Sequence, residues 1–318
     1  MEWTAGRVPL ISVVIPTFNR IEELRVCLDG FTNQTTGQDR FEVIVVDDGS
    51  DEDVDRALAN FRDRMRLHVE RCDHAGVSVA RNLAIARSTA PLLVLYDDDL
   101  RPLPNLIEIC LDFHDRHPAE HQLELLRFLP DPEIAEMAVV RWAFPRLYPF
   151  PEAAGIYGWQ NFWGGAITCK RSLFSDWFDP EMLAVEDAEF AFRANIGRNL
   201  EIHYNGCASG YFHRRLSVQQ ICRRSFRMGF YRYRMSQRHR VRFSSPVYEK
   251  PETFLIPNWP AFRSALAATR GQEASGMELP AVRFQMLCGL WHKAELHAIA
   301  SGWLESMSGR HSHAPAFE

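Results

Sequence analysis

The first hundred residues alternate between short apolar runs and longer stretches in which apolar residues recur every three or four positions. Apolar, β-branched runs lie at 10–15 and 41–46, and each ends at a proline or at acids, which is typical of strands buried on both faces. Between them, apolar residues at positions 21, 24, 28 and 31 predict a helix with one face on the sheet. The chain therefore begins with strand, helix and strand.

The same alternation continues to about residue 117. The pattern predicts helices at 51–64, 77–87 and 104–117 and strands at 66–70 and 91–96. A series of this kind predicts a parallel sheet with helices on both faces. The predicted fold class is therefore α/β, with a Rossmann-like, mostly parallel sheet and flanking helices.

The regular alternation is lost after residue 117. The later pattern predicts, in order, a helix remnant or loop at 118–132, strands near 137–144, a Pro-, Gly- and aromatic-rich surface loop at 148–163, helices at 170–177 and 185–195, strands at 200–204 and 208–213, and helices near 261–268 and 281–307. We divide the chain into an α/β domain, 1–215, and a helical C-terminal extension, 216–318.

The composition is that of an ordinary globular protein, because 46% of the 318 residues are hydrophobic and 24% are charged. The formal net charge of -5 argues against a surface built throughout for nucleic acid. Seven cysteines without a CxxC pair indicate reduced thiols. No run approaches the roughly 20 apolar residues that cross a bilayer, and the first residues do not resemble a signal peptide. We expect a cytoplasmic protein, with peripheral contact at the inner membrane face left open.

One segment departs from the average charge. Residues 214–242 contain ten arginines and no acidic residue, so this segment carries +10 and the rest of the chain -15. Apolar residues recur within it at helical spacing, which predicts an amphipathic helix. Three interpretations are open: the arginines bind a diphosphate or an anionic acceptor, lie against anionic lipid headgroups, or form a solvated face. The complete absence of acids disfavours the third.

Carboxylates are concentrated where two predicted strands end. Asp47 and Asp48 follow the second strand, and Asp97, Asp98 and Asp99 follow the fourth. Ligands of an open parallel sheet bind at this edge, and three consecutive carboxylates repel one another unless cations or hydrogen-bond donors neutralise them. A divalent metal that also binds a substrate diphosphate would do so. A solvated acidic turn or helix cap is the simpler alternative.

Several motifs, in this order, resemble those of glycosyltransferase family 2. They read ISVVIPTFNR from position 11, EVIVVDDGSDED from 42, GVSVARNLAIARSTAPLLVLYDDD from 76, WGGAITCKRSLF from 163 and AVEDAEFAFR from 184. The resemblance covers about residues 10–215 and implies the GT-A fold and inverting transfer of a sugar from a nucleoside diphosphate sugar to an acceptor nucleophile. The chain has no QxxRW sequence, so we expect a non-processive enzyme.

The resemblance also assigns roles to single residues. It implies that the donor is contacted by Pro16, Thr17, Asp48, Arg81, Asn82, Asp97, Asp98, Gly164 and Gly165. Asp48 is expected to bind the base, and Trp163 is expected either to stack on a sugar ring or to belong to the core. Asp97 and Asp99 match an Asp-x-Asp pair in which Asp99 is the main metal ligand. His213 matches a third ligand more loosely, and a structural histidine is the alternative.

The acidic pair Glu186 and Asp187 opens a predicted helix. Inverting transfer requires a carboxylate that takes the acceptor's proton and a cation that stabilises the departing diphosphate. A helix N-terminus favours an ionised carboxylate. The resemblance identifies Asp187 as the general base with Glu186 beside it; the alternative is that both acids only cap the helix.

Together these inferences predict a metal-dependent glycosyltransferase that uses Mn²⁺ or Mg²⁺ and a UDP- or dTDP-sugar. The acceptor stays open, with lipid-linked and anionic acceptors both compatible with the arginines, and the apolar C-terminal helices could form a homodimer contact. One alternative, a nucleotidyltransferase, needs a Gly-rich basic loop after the first strand, and PTFNR is not one. The other is a non-catalytic nucleotide- or anion-binding protein that uses residues 214–242 for membrane or RNA.

Overall fold

The computed structural model describes residues 8–175, 177–274 and 281–309. The chain forms two compact units. The first comprises Met1–Asp131 with Phe150–Arg214, and the second comprises Pro132–Pro149 with Arg215–Glu318. The sequence was divided at residue 215, whereas the first unit ends at Arg214. The division from the sequence did not assign residues 132–149 to the second unit.

The first unit is built on two sheets. The large sheet has eight strands in the order β3-β2-β1-β4-β9-β6-β10-β8, and the small sheet has three in the order β5-β11-β7. The strands are β1 (Ile11–Thr17), β2 (Phe41–Asp47), β3 (Leu67–Arg71), β4 (Leu92–Tyr96), β5 (Leu100–Pro102), β6 (Gln122–Leu125), β7 (Arg127–Pro130), β8 (Gly155–Tyr157), β9 (Ala166–Lys170), β10 (Glu201–Tyr204) and β11 (Ala208–Phe212).

Eleven helices accompany these strands in the described part of the chain. They are α1 (Ile21–Thr32), α2 (Val54–Ala57), α3 (Val77–Arg87), α4 (Leu106–Arg116), α5 (Ala138–Leu147), α6 (Glu186–Asn195), α7 (Val218–His239), α8 (Pro246–Glu249), α9 (Trp259–Ala267), α10 (Arg270–Glu273) and α11 (Ala281–Met307). Short 3-10 turns lie at 59–61, 159–161, 171–175 and 251–254. The predicted α/β architecture with a helical C-terminal region is confirmed.

The order of the strands creates a crevice at one edge of the large sheet. β1 pairs in parallel with β2 on one side and with β4 on the other, so the chain leaves these strands in opposite directions across the sheet. Both β1 and β2 are buried along their whole length, as their mainly apolar sequences predict. Ligands of open α/β sheets bind where the strand order reverses in this way. We therefore expect a binding site at the carboxyl ends of β1, β2 and β4.

The small sheet brings a distant part of the chain to the end of β4. β11 pairs antiparallel with β5, which follows β4 after only three residues. The backbone N–H of His213, directly after β11, donates to the carbonyl oxygen of Asp99 over 3.1 Å. This pairing places the residues just before the Arg-rich helix against the acidic end of β4.

The second unit is helical, and its main contact is the crossing of α7 with α11. α7 begins at a capping box, in which the Ser217 hydroxyl accepts from the Gln220 N–H and the Gln220 side chain accepts from the Ser217 N–H. Its apolar side is buried, while many of its arginines are exposed. The amphipathic helix predicted for the Arg-rich segment is confirmed. Its three interpretations stay predictions.

Four predictions of local structure were wrong. Residues 51–64 form only the short helix α2 and a 3-10 turn, and 171–175 is likewise a 3-10 turn rather than the helix predicted over 170–177. Residues 118–132 contain the strands β6 and β7, whereas 137–144, predicted as strands, lie in helix α5. Short apolar runs do not distinguish a strand from a buried helix. α5 is helical because its apolar face packs within the second unit, where the rings of Trp142 and Trp291 lie 5.5 Å apart.

None of the described helices combines the length and the apolar character needed to cross a membrane. All seven cysteines lie in the described part of the chain and are free thiols. Four of them are buried, in agreement with the prediction that most are small core residues.

A buried histidine gives the first unit a pH-dependent stability. The Nε2 atom of His114 lies 2.9 Å from the Thr168 hydroxyl, and Nδ1 lies 3.0 Å from the Lys170 ammonium. Burial, and secondarily the charges of Lys170 and His117, lower the pKa of His114 to about 3. Because the unfolded chain binds this proton near pH 6.5, stability should fall as the pH drops from about 6.5 towards 3.

We expect His114→Gln to remove part of this acid sensitivity. The loss of stability due to His114 should amount to roughly 5 kcal/mol by pH 3. Urea unfolding at a series of pH values measures it, with His68→Gln, which removes an exposed histidine, as the control. An unchanged pH slope in His114→Gln would contradict the assignment.

Candidate active site

A network of charged side chains occupies the crevice at the ends of β1 and β4. Arg81, on α3, is buried and joins two acids that are far apart in the sequence. Its Nη2 donates to Asp97 Oδ1 over 3.0 Å, and its Nη1 pairs with Glu186 Oε1 over 2.5 Å. This arginine therefore fixes the N-terminus of α6 beside the end of β4.

Glu186 and Asp187 differ sharply in their surroundings. Glu186 is buried, and burial and the charge of Asp187 raise its pKa, although Arg81 opposes this shift. Asp187 is less enclosed, and its Oδ2 accepts from the Gly164 N–H over 3.2 Å. Glu186 is thus committed to the ion pair with Arg81, whereas Asp187 faces the glycine turn.

The residue before this acidic pair has an unusual backbone. Val185 caps the N-terminus of α6 with φ 63° and ψ 14°, in the left-handed region that β-branched residues rarely adopt. Strained backbone of this kind persists only where the surrounding structure holds it, and it is concentrated at functional sites. The ion pair between Arg81 and Glu186 is one such restraint.

Gly164 and Gly165 lack a side chain, and this lets the backbone lie close to Arg81 and Asp97. A Cβ on Gly165 would overlap the Asp97 carboxylate, and a Cβ on Gly164 would lie 2.9 Å from Arg81 Nη1. The carbonyl oxygen of Gly165 accepts from the Asp97 N–H over 2.9 Å. The predicted small-residue turn therefore lies directly against the acidic end of β4 and Asp187.

Asp98 and Asp99 have different partners from Asp97. The Thr17 hydroxyl donates to Asp98 Oδ2 over 2.7 Å. Arg20, the residue before α1, places its Nη1 3.0 Å from Asp98 Oδ1 and 3.2 Å from Asp99 Oδ2. Arg214 Nη1 lies 3.6 Å from the same oxygen of Asp99. The three consecutive acids are therefore neutralised by three arginines in all.

The pKa values in this group follow from burial and charge. Burial raises the pKa of Asp98, and the charge of Asp99 raises it further, although Arg20 and the Thr17 hydroxyl lower it. Burial alone would lower the pKa of Arg20, but the charges of Asp98 and Asp99 outweigh that effect and raise it. Arg20 therefore stays charged at any pH of interest.

The ring of His213, whose backbone N–H bonds to Asp99, has one nitrogen without a hydrogen bond. Its Nε2 lies 3.1 Å from the carbonyl oxygen of Glu23, so Nε2 carries the proton and donates. Its Nδ1 is buried and has no hydrogen-bond partner. That nitrogen consequently keeps an available lone pair, as a metal-ligating imidazole requires.

Asp48 closes the other side of the crevice. Its carboxylate accepts from the Ala75 N–H over 2.7 Å and from the Gly76 N–H over 3.0 Å, which holds the loop before α3. On the same loop, the ring of His74 stacks on that of Phe18 with 4.2 Å between centroids. Phe18 and His74 thus form an exposed aromatic pair beside the predicted base-binding aspartate.

Three other predicted donor residues are engaged within the protein. Pro16 is buried in β1, opposite Val46 of β2. The Asn82 amide exchanges two hydrogen bonds with the backbone of Phe178. Trp163 packs against Phe150, with 4.5 Å between ring centroids. For Trp163 these contacts favour the alternative that it belongs to the core.

Within the described ranges, no three His, Cys, Asp or Glu side chains form a group that could hold a metal ion by themselves. The Asp97 carboxylate pairs with Arg81, whereas the Asp99 carboxylate pairs with Arg20 and Arg214. The backbone of Asp99 accepts from the His213 N–H. Mg²⁺ and Mn²⁺ often take only one or two protein ligands and complete their shell with water and substrate phosphate. Asp99 and the free Nδ1 of His213 fit such an incomplete protein ligand set.

Four residues of this site are not predictable from the sequence pattern: Arg20, Arg214, Phe18 and His74. Arg20 is visible only as the last residue of the PTFNR motif, and Arg214 only as the first of ten arginines. Their positions depend on the crossover at β1 and on the pairing of β11 with β5, which the local pattern does not reveal.

Part of the chain is similar in sequence to known proteins. Residues 12–122 match the family model described as Glycosyl transferase family 2. Over 116 residues the chain is 35% identical to a validoxylamine A glucosyltransferase of Streptomyces hygroscopicus subsp. jinggangensis (strain 5008), which is 36% of this chain and 28% of that protein. The matches to the first three curated relatives span only 26% to 34% of their lengths.

Two solved structures are similar over almost the whole chain. The mannosyltransferase PcManGT from Pyrobaculum calidifontis, in complex with GDP-Man and Mn²⁺, superposes with a TM-score of 0.58 at 17% identity, covering 98% of this chain and 92% of that one. TarS 1-349 of S. aureus, in complex with UDP-GlcNAc, gives 0.55 at 15% identity, covering 95% and 93%. At this identity the likeness concerns the fold.

Residues 12–122 are therefore similar to glycosyltransferase family 2, and the chain has the GT-A fold. The predicted fold is confirmed, and the predicted family is supported over residues 12–122.

Proposed function

We propose that the chain is a metal-dependent, inverting and non-processive glycosyltransferase that moves a sugar from a nucleoside diphosphate sugar to an acceptor nucleophile. The observation that carries this proposal is the position of Asp187. Its carboxylate lies at the N-terminus of α6, against the glycine turn at 164–165, and Arg81 links the adjacent Glu186 to the acidic end of β4. These contacts support a proton acceptor and a diphosphate site in one crevice.

Asp187 acts as the general base in this proposal. Its carboxylate takes the proton of the acceptor hydroxyl, the acceptor oxygen bonds to the anomeric carbon, and the bond from that carbon to the diphosphate oxygen breaks. The electron pair leaves with the nucleoside diphosphate. Glu186 is a positioning residue, because its carboxylate is already paired with Arg81.

Asp99 and His213 Nδ1 would hold the Mn²⁺ or Mg²⁺ ion, which when bound stabilises the negative charge of the departing diphosphate. Asp97 is held by Arg81 and the glycine turn, so it shapes the sugar subsite. Asp48, Phe18 and His74 form the end of the crevice that suits the base, where an aromatic face and fixed polar groups occur together. The two structural neighbours, which contain GDP-Man and UDP-GlcNAc, support a nucleoside diphosphate sugar as donor.

A thermal-shift panel tests the donor site. We expect one nucleoside diphosphate to raise the melting temperature of the wild type in the presence of Mn²⁺, with about 2.7 kcal/mol of stabilisation at a hundredfold excess over its Kd. Asp99→Asn, which keeps the shape of the side chain, should abolish the metal-dependent part of the shift.

The exposed carboxylate of Asp115 on α4 provides the matched control, because Asp115→Asn removes the same charge away from the crevice. No shift with UDP, dTDP or GDP in the wild type would count against a transferase. In that case the alternative to test is binding of RNA or anionic lipid by the Arg-rich helix α7.

A further inference from the structure

Arg20 binds the carboxylate of Asp99, to which a metal ion would also bind. A single guanidinium nitrogen, Nη1, contacts carboxylate oxygens of both Asp98 and Asp99, at 3.0 and 3.2 Å. The Asp98 side chain is fully buried, whereas 30% of the Arg20 side chain is exposed. Arg20 thus reaches from the solvent side over two acids, one of which is the proposed metal ligand.

Two like charges cannot share one carboxylate oxygen at short range without strong repulsion. At 4 Å the repulsion of two unit charges is about 4 kcal/mol where the effective dielectric constant is 20, and a divalent ion doubles it. A metal ion on Asp99 would therefore weaken the contact of Arg20 with that oxygen. Asp99 would keep Arg214 nearby, and Asp98 would keep the Thr17 hydroxyl.

The displaced guanidinium would pair with another anion, the diphosphate of the donor. Arg20 lies outside the helical turns of α1, as its N-cap, and a single nitrogen, Nη1, makes both of its ion pairs, with Asp98 and with Asp99. The diphosphate of a donor bound at the same metal brings new negative charge to the same end of the crevice. Guanidinium groups bind phosphate oxygens through paired hydrogen bonds.

We propose that Arg20 is an exchangeable counter-charge: it holds Asp98 and Asp99 in the empty site and moves to the donor diphosphate when metal and donor bind. This inference rests on the proposed function. Arg20 then opposes metal binding in the absence of donor and favours donor binding in the presence of metal. A structural arginine that only supports the acidic loop would affect both steps in the same direction.

Because Arg20 should weaken metal binding and strengthen donor binding, the experiment measures the two affinities separately. Mn²⁺ affinity is measured by electron paramagnetic resonance without nucleotide, and UDP and GDP affinities by calorimetry at saturating Mn²⁺. We expect Arg20→Gln to bind Mn²⁺ about tenfold more tightly and the nucleoside diphosphate about tenfold more weakly than the wild type. Arg20→Lys keeps the charge and should stay within about threefold of the wild type in the Mn²⁺ measurement.

Arg25→Gln is the matched control. Arg25 lies on α1, and its half-buried side chain pairs with Glu22 over 3.1 Å and donates to the Ala57 carbonyl oxygen, so its removal should change neither affinity. If Arg20→Gln does not fold, because it leaves Asp98 buried and unpaired, the same comparison is made between Asp98→Asn and the double variant Arg20→Gln/Asp98→Asn. Removal of Arg20 should again strengthen Mn²⁺ binding and weaken nucleotide binding.

The outcomes separate this inference from the proposed function. A wild type that binds neither Mn²⁺ nor any nucleoside diphosphate contradicts the proposed function itself. A wild type that binds both, with Arg20→Gln weakening both, strengthening both or changing neither, overturns the exchange of Arg20 and leaves the transferase proposal intact.

Discussion

Asp187→Asn is expected to lower the rate of sugar transfer by about 10² to 10⁴-fold, the range that a positioned general base contributes. Asparagine has nearly the same shape, and its side-chain oxygen can still accept the hydrogen bond from the Gly164 N–H. It cannot take a proton from the acceptor. The ion pair of Arg81 with Glu186 is left in place.

Donor binding should survive this change, and that separates catalysis from structure. The affinity for the nucleoside diphosphate with Mn²⁺ should stay within about threefold of the wild type, because Asp187 is placed on the acceptor side of the proposed reaction. Since the acceptor is not identified, turnover is measured as release of nucleoside diphosphate from UDP- and GDP-sugars with water as the acceptor.

Asp115→Asn serves again as the matched loss of one carboxylate, and its turnover should equal that of the wild type. Turnover of Asp187→Asn within tenfold of the wild type would refute the general base. A parallel loss of donor affinity would instead show that Asp187 supports the crevice, as the simpler interpretation of a helix cap requires.

The edge of the sheet at which the site lies could be predicted from the sequence because the signals there are local. Each buried strand is a mainly apolar run that stops at the residue where the acids or the proline begin, as in the run before Asp47 and the run before Asp97. A parallel sheet gathers these ends at one edge. The acids on β2 and β4, and the start of α6 at Glu186, were therefore found without a structure.

The partners of those acids could not be predicted in the same way. Thr17, Arg20 and Arg214 all contact Asp98 or Asp99, but they come from three separate stretches of the chain. The contact of Arg214 depends on the small sheet, and its strand β7 lies in a stretch that the pattern assigned to a helix remnant or loop. Pairings of distant segments leave no periodic trace in the sequence, so the neutralisation of the acids by arginines, rather than by a metal alone, emerges only from the fold.

The apolar run at 138–144, in the second unit, is another case in which the local sequence pattern does not decide the structure. Valine, tryptophan and phenylalanine favour strands on a pleated surface, but here their burial against neighbouring helices decides the conformation. Propensity was outweighed by tertiary packing, which also explains why α5 belongs with helices that follow it by more than 70 residues in the sequence.

Substitution of Gly302 by leucine is expected to destabilise the second unit by at least about 3 kcal/mol, at the upper end of the usual cost of overpacking. A Cβ on Gly302 would collide with the carbonyl oxygen of Phe226, and a Cβ on Gly229 would collide with that of Ile299. These atoms belong to the backbones of α7 and α11, so no change of rotamer relieves the clash. The two helices would have to move apart and expose the apolar side of α7.

Gly289, on the same helix, gives a control of opposite sign. It is exposed, and a Cβ there meets no atom within 4 Å. Gly289→Ala should therefore stabilise the protein by about 0.5 to 1 kcal/mol, because alanine loses less backbone entropy on forming a helix. Thermal unfolding followed by far-ultraviolet circular dichroism measures both variants. Equal melting temperatures for Gly302→Leu and the wild type would show that α7 and α11 do not cross as closely as their glycines indicate, since no other feature of the crossing could accommodate four added carbon atoms.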